Sequence, residues 1–81
     1  MPFNQVTYAY DEEFAFYTLI FHDQNGQTTS YDFVKPAHPL QVKTETLQIK
    51  DNERFVGIVY NSKRGRPGIV YDVAFKIMEL N

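Results

Sequence analysis

Residues 14–26 read FAFYTLIFHDQNG and join an apolar strand to a turn. With a period of two, residues 14–22 are apolar on both sides: Phe14, Phe16 and Ile20 lie on one, and Ala15, Tyr17, Leu19 and Phe21 on the other. A strand covered on both sides is usually central in its sheet. The Asn25-Gly26 pair is a strong hairpin signal, because both residues tolerate positive φ. We therefore expect a central strand that leads directly into a hairpin.

Five further stretches have strand character, at residues 3–10, 28–35, 40–50, 54–60 and 69–80. β-branched and aromatic residues dominate them, and none shows a sustained helical period. The stretch at 54–60 is again apolar on both sides, whereas the one at 28–35 is half exposed.

The stretch at residues 40–50 changes its side-chain parity. Leu40 and Val42 share one side, whereas Leu47 and Ile49 share the other. A period of two cannot switch sides without a bulge or bend, which we expect near residues 44–46. A rigid connector precedes this strand, because prolines at 36 and 39 bracket Ala37-His38.

Length and composition indicate one domain, residues 1–81, with an all-β fold. The chain is 43% hydrophobic and 16% aromatic without any Cys, so we expect a core that forms without disulfides. Short turns between strands favour a small antiparallel β-sandwich or barrel of about five to six strands. The alternative for the tail after Ala74 is a short C-terminal helix, because Met, Glu and Leu are good helix formers.

Charge and patterning argue against several classes of protein. The net charge of -2 opposes a global attraction to nucleic acid or anionic lipid. No apolar run has the length of a membrane span, and the first residues lack the pattern of a signal peptide. Together with the absence of Cys, these features favour a cytoplasmic protein.

No constellation of residues indicates catalysis or metal binding. The chain has no Cys, its two His residues lie at 22 and 38, and Ser30 and Ser62 lack a surrounding motif. Paired carboxylates for glycoside chemistry would have to come from Asp11, Glu12, Glu13, Asp32, Glu45 or Asp72, and their separation in space does not follow from the sequence. We expect a non-enzymatic protein without catalytic residues, cofactor or metal.

The loop at residues 61–68 carries the sharpest local motif, with three cations, Lys63, Arg64 and Arg66, within four positions. Arg64-Gly65-Arg66-Pro67 resembles the core of an AT-hook, which implies minor-groove contact by Arg64 and Arg66. Strand-like residues follow at once, and a loop anchored at both ends cannot lie extended in a groove. The alternatives are a solvated loop that keeps strand edges soluble, and a contact with phosphate or an acidic protein surface.

Residues 47–58 and 73–77 resemble the late strands of jacalin-type lectins, which have a strand, an acidic turn, a strand and a final strand near the sugar site. The resemblance implies a carbohydrate-binding β-sandwich. The glycine-rich sugar-binding segment of that family is missing and the chain is too short for a full copy, so no binding residue is assigned from it.

Tyrosines favour protein–protein interaction as the function, because they exceed what a small core absorbs and are enriched at interfaces. We predict binding through an exposed aromatic face or an unpaired strand edge, with homodimerisation as one form of it. The candidate binding residues are Tyr8, Tyr10, Tyr31 and Tyr60, together with the three cations of the loop. The alternative is nucleic-acid binding by those cations, with tyrosines stacking on single-stranded bases.

Overall fold

The computed structural model describes residues 3–35 and 41–80, which form two antiparallel sheets without any helix. The strands are β1 (Phe3–Asp11), β2 (Phe16–Asp23), β3 (Thr28–Asp32), β4 (Val42–Gln48), β5 (Glu53–Ser62) and β6 (Val70–Glu79). One sheet has the order β3-β2-β1-β4, and the other is the β5–β6 hairpin. The predicted all-β class is confirmed. Leu40 and the proline-bracketed connector lie outside the described residues.

Strand β2 lies between β1 and β3, as its apolar pattern predicted. The predicted division of its side chains was wrong, because the pairing with β1 shifts between Ala9↔Thr18 and Tyr10↔Phe16. This irregularity places one extra residue in β2. Phe16 therefore joins Leu19 and Phe21 in the main core, while Tyr17 packs in a second cluster.

The hairpin β5–β6 packs on one face of the four-stranded sheet. Ring pairs bridge the two sheets, with centroids 5.0 Å apart for Phe21–Phe55 and 5.0 Å apart for Tyr8–Phe75. The buried residues of this core are Val6, Phe16, Leu19, Phe21 and Ile49. Burying such side chains contributes about 1.5–3 kcal/mol each, which holds the hairpin on the sheet.

Two successive turns share one construction. In the β1–β2 turn, Asp11 Oδ1 accepts hydrogen bonds from the backbone N–H groups of Glu13 (2.9 Å) and Ala15 (3.0 Å). In the β2–β3 turn, Asp23 Oδ1 accepts from Asn25 (2.8 Å) and Gln27 (2.9 Å). In the second turn, the residue with a positive φ is Gly26 (81°), as expected for a hairpin.

The tail after Ala74 is strand, so the alternative of a C-terminal helix is wrong. Residues 70–79 pair with β5 as β6, and Val73, Phe75 and Ile77 pack against the core at a period of two. This alternation outweighs the helix propensity of Met and Glu. None of the described segments is a helix that could cross a bilayer.

The predicted bend near residues 44–46 is also wrong. The pairing of β4 with β1 runs without a shift from Gln48↔Gln5 to Val42↔Asp11. No change of side is needed, because Val42 lies on the side of the sheet opposite the main core and is 44% exposed there.

Candidate functional site

The two-stranded hairpin is too narrow to cover the four-stranded sheet, and an open cleft remains beside β5. We call it the apolar cleft; its volume is about 410 Å³, and its lining residues are Phe3, Leu19, Phe21, Tyr31, Phe33, Phe55, Gly57 and Ile58. No lining residue carries a charge. The cleft can therefore receive apolar groups from outside.

The edge of β5 beside the apolar cleft is unpaired in the described part of the chain, because β5 pairs with β6 alone. From Phe55 to Tyr60 this strand has no charged residue and no proline. Soluble proteins usually protect an open edge with such residues. On β5, Val56 and Val59 are also 55% and 50% exposed. A strand that is apolar on both sides thus lies at an unpaired edge, and its pairing with β6 is irregular at Phe55–Gly57 and Val59–Asn61.

A second cleft, on the other side of the hairpin, combines aromatic rings with carboxylates. We call it the aromatic–acidic cleft; it is lined by Tyr8, Tyr10, Phe14, Phe16, Glu45, Asp72 and Val73 and has a volume of about 180 Å³. The Tyr10 ring is stacked with Phe14, 6.0 Å away at 9°, and with Phe16, 5.8 Å away at 20°. Stacked rings and two carboxylates suit a ligand that is flat, cationic or both.

Cross-strand register brings Glu45 of β4 beside Tyr8 of β1. The Tyr8 hydroxyl donates a 3.0 Å hydrogen bond to Glu45 Oε2. Desolvation raises the pKa of Tyr8 above its ordinary value, and the Glu45 carboxylate raises it further. The pKa of Tyr10 is raised by the same two causes in the same order. Both phenols therefore stay neutral donors in neutral solution.

The basic loop folds back in two turns rather than lying extended. The N–H of Arg66 donates to the carbonyl of Lys63 (3.1 Å), and that of Ile69 donates to the carbonyl of Arg66 (3.4 Å). Each turn has a glycine of positive φ at its third position, Gly65 (85°) and Gly68 (82°), as in type II turns.

Two of the three loop cations contact the protein itself. The Arg66 guanidinium donates to Glu13 Oε2 (2.8 Å) and to the Tyr71 hydroxyl (2.9 Å). The hydrogen bond to Tyr71 raises the pKa of Arg66 most, and the hydrogen bond to Glu13 raises it further. Lys63 Nζ lies 4.4 Å from the centroid of the Tyr71 ring. No such contact of Arg64 occurs within the described residues, so Arg64 is the loop cation best placed to meet a partner.

The four predicted tyrosines do not form one face. Tyr8 and Tyr10 line the aromatic–acidic cleft, whereas Tyr31, 56% exposed, lines the apolar cleft. Tyr60 is 52% exposed on β5 and lines neither cleft. Phe14 and Phe55 were not among the predicted residues, because only the register between strands places them in the clefts.

Among residues 3–35 and 41–80, no group of three or more potential ligands converges to hold a metal ion. Comparisons with protein-family models, curated proteins and solved structures find no match to the chain. The protein is a small two-sheet β-domain with two concave surfaces of different chemistry: one is apolar, and the other is aromatic and acidic.

Proposed function

We propose that this protein is a non-enzymatic, cytoplasmic β-sandwich that binds other proteins by accepting an extended segment along β5. The observation that carries the proposal is the apolar cleft beside a strand edge that is unpaired in the described part of the chain and has no charge or proline from Phe55 to Tyr60. Main-chain hydrogen bonds along such an edge supply affinity, and pockets for alternate side chains supply specificity. The partner is therefore an extended segment with apolar side chains at every second position.

Tyr31 supports this proposal through the surface that it leaves uncovered. The side chain is 56% exposed, and its ring contacts Phe21 edge-on with centroids 5.8 Å apart. A buried aromatic side chain removes about 200 Å² from water, so covering the exposed part is worth up to about 3 kcal/mol. Ordering of the partner reduces that gain, and we expect loss of the ring to weaken binding by roughly tenfold to a hundredfold.

A second copy of the chain is an occupant with matching chemistry, because its own β5 has the same uncharged stretch from Phe55 to Tyr60. Two such edges can pair antiparallel about a two-fold axis, since that contact is self-complementary. The charges at the start of β5 balance, with Lys50 and Arg54 beside Asp51 and Glu53. The apolar stretch, and not charge, would therefore drive this pairing.

Sedimentation and peptide selection test the proposal together. Self-association would appear as a dimer whose population rises from about 10 μM to 1 mM protein, a range typical of weak complexes. If the protein stays monomeric, a displayed library of random octapeptides is selected on it, and the proposal expects extended sequences with alternate apolar residues.

Matched variants identify the surface used in either case. Tyr31→Ser removes a ring of the apolar cleft, whereas Met78→Ala removes an equally accessible side chain, 49% exposed, outside it. The proposal expects Tyr31→Ser to weaken the dimer or the peptide complex at least tenfold and Met78→Ala to leave it unchanged. A strict monomer that selects no peptide, or a complex insensitive to Tyr31→Ser, would overturn the proposal.

A further inference from the structure

The aromatic–acidic cleft carries an inference that is independent of the apolar cleft. Its two rims meet at one backbone contact, where the N–H of Asp72 donates to the carbonyl of Phe14 over 3.2 Å. The adjacent residues Ala15 and Tyr71 form an isolated antiparallel bridge. This contact ties the start of β6 to the β1–β2 turn and fixes a ring and a carboxylate on either side of one cavity.

Both rim residues adopt backbone conformations that cost free energy. Phe14 has a φ of 63° and Asp72 a φ of 53°, and they are the non-glycine residues of positive φ among the described residues. Glycine occupies the matching position of the twin turn, at Gly26. An unfavourable conformation for a bulky aromatic residue persists only where its surroundings enforce it, and such residues cluster at ligand sites. Here both of them line the same small cavity.

The carboxylates of the cleft have no cationic partner within the described part of the chain. Within residues 3–35 and 41–80, the ion pair joins Arg66 to Glu13, outside the cleft. Glu45 accepts a hydrogen bond from the neutral Tyr8, and Asp72 is exposed. Lys43 lies opposite Tyr10 in the register of β4 with β1, on the same side of β4 as Glu45, and it forms no ion pair among the described residues. The cavity therefore has negative charge beside the faces and edges of stacked rings.

We infer that the aromatic–acidic cleft binds an alkylammonium group. A cation that enters it lies among the aromatic rings and is attracted by the negative charges of Glu45 and Asp72, which line the cleft. The volume of about 180 Å³ accommodates one ammonium head with a short alkyl stem rather than a large molecule. The same group occurs on a lysine side chain of another protein and on a free small amine.

Titration followed by amide NMR tests the inference with butylammonium chloride as the probe. The expected result is saturable movement of the amide signals of Phe14, Ala15, Asp72 and Val73, with no such movement for 1-butanol or for sodium chloride at matched ionic strength. The double variant Glu45→Gln with Asp72→Asn keeps size and hydrogen bonding, and it should weaken binding about tenfold.

Two further variants act as controls. Lys43→Met removes the competing cation and should strengthen binding about twofold, as expected for one surface charge. Tyr31→Ser changes the apolar cleft alone and should leave butylammonium affinity unchanged, so this inference and the proposed function fail separately.

A short peptide with one lysine, compared with its acetyl-lysine form, distinguishes the two sources of the ammonium group. Tighter binding of the lysine peptide than of butylammonium assigns the cleft to a partner's side chain, and equal binding assigns it to a free amine. Equal responses to butylammonium and butanol, or an unchanged affinity in the double variant, would overturn the inference. So would saturable binding of methyl glucoside without binding of butylammonium.

Discussion

Asp11→Ala should destabilise the fold far more than Asp23→Ala, although the two residues hold turns of the same construction. Asp11 is 1% exposed and accepts two backbone hydrogen bonds, whereas Asp23 is 9% exposed and accepts two of similar length. The two variants differ in whether water can hydrogen-bond to the backbone N–H groups that lose their carboxylate partner. The N–H of Ala15, a fully buried residue, loses its carboxylate partner in Asp11→Ala, while the amides freed in Asp23→Ala belong to exposed residues.

The magnitude follows from the hydrogen bonds that are lost. A hydrogen bond to a charged group contributes about 1.5–3 kcal/mol, and a buried donor left alone costs about 1–3 kcal/mol. We expect a loss of about 3 kcal/mol for Asp11→Ala, and of about 1 kcal/mol for Asp23→Ala, near the usual value for a lost cap. A chain of 81 residues has a stability of about 4–12 kcal/mol, so the first loss is a large fraction of the total.

Urea unfolding followed by tyrosine fluorescence measures both losses. Asp11→Asn serves as a control, because its side-chain oxygen can still accept hydrogen bonds from the turn, and it should lose about 1 kcal/mol. A loss below about 1 kcal/mol for Asp11→Ala, or a larger loss for Asp23→Ala, would refute the reasoning.

Three further predictions concern pH, glycine and the basic loop. Burial raises the pKa of Tyr17, and the neighbouring Asp11 carboxylate raises it further, so the folded state favours the protonated phenol. This contribution to the free energy of unfolding is complete below the unfolded pKa of about 10, and it is lost as pH rises through the folded pKa. Urea midpoints between about pH 8 and 11.5 should show a shallower decline for Tyr17→Phe, and an identical decline would contradict this. Gly26→Ala should lose about 1 kcal/mol or more in thermal unfolding, because its φ is 81° with open space around it, whereas Gly57→Ala, without a positive φ, should lose nothing. Equal losses would refute the backbone argument. Arg66→Gln should lower the urea midpoint only slightly, because its ion pair is exposed, and 1 M salt should abolish most of that loss; Arg64→Gln should leave the midpoint unchanged. A salt-independent loss would assign Arg66 another role.

Much of the fold could be predicted because local patterns coincide with the tertiary environment. The apolar run of β2 is central, and Asn25-Gly26 lies in a hairpin turn. The side assignments in β2 failed because one irregularity in pairing reverses every later residue, and no local signal reveals it. In the tail, the local pattern did predict the structure. Val73, Phe75 and Ile77 alternate clearly and pack as a strand, despite their helix-forming neighbours.

The clefts could not be predicted from the chain order alone. Glu45 and Asp72 are 27 positions apart in the sequence and meet in one cavity through the register of β4 with β1 and the bridge at Ala15–Tyr71. The pattern of β5 indicates burial on both sides, but it does not say that the strand would lie at an open edge. The cations of the loop were recognisable, whereas the contacts of Lys63 and Arg66 with Tyr71 depend on tertiary structure.

Amide hydrogen exchange of the protein in its bound state tests the central claim most directly. The bound state is the dimer, if one forms, or the complex with the tightest selected peptide. We predict slower exchange for outward-facing amides of β5 between Phe55 and Tyr60, with unchanged exchange along β4. Protection confined to the edge of β3 or β4, with β5 unaffected, would contradict the assignment of β5 and the apolar cleft as the binding surface.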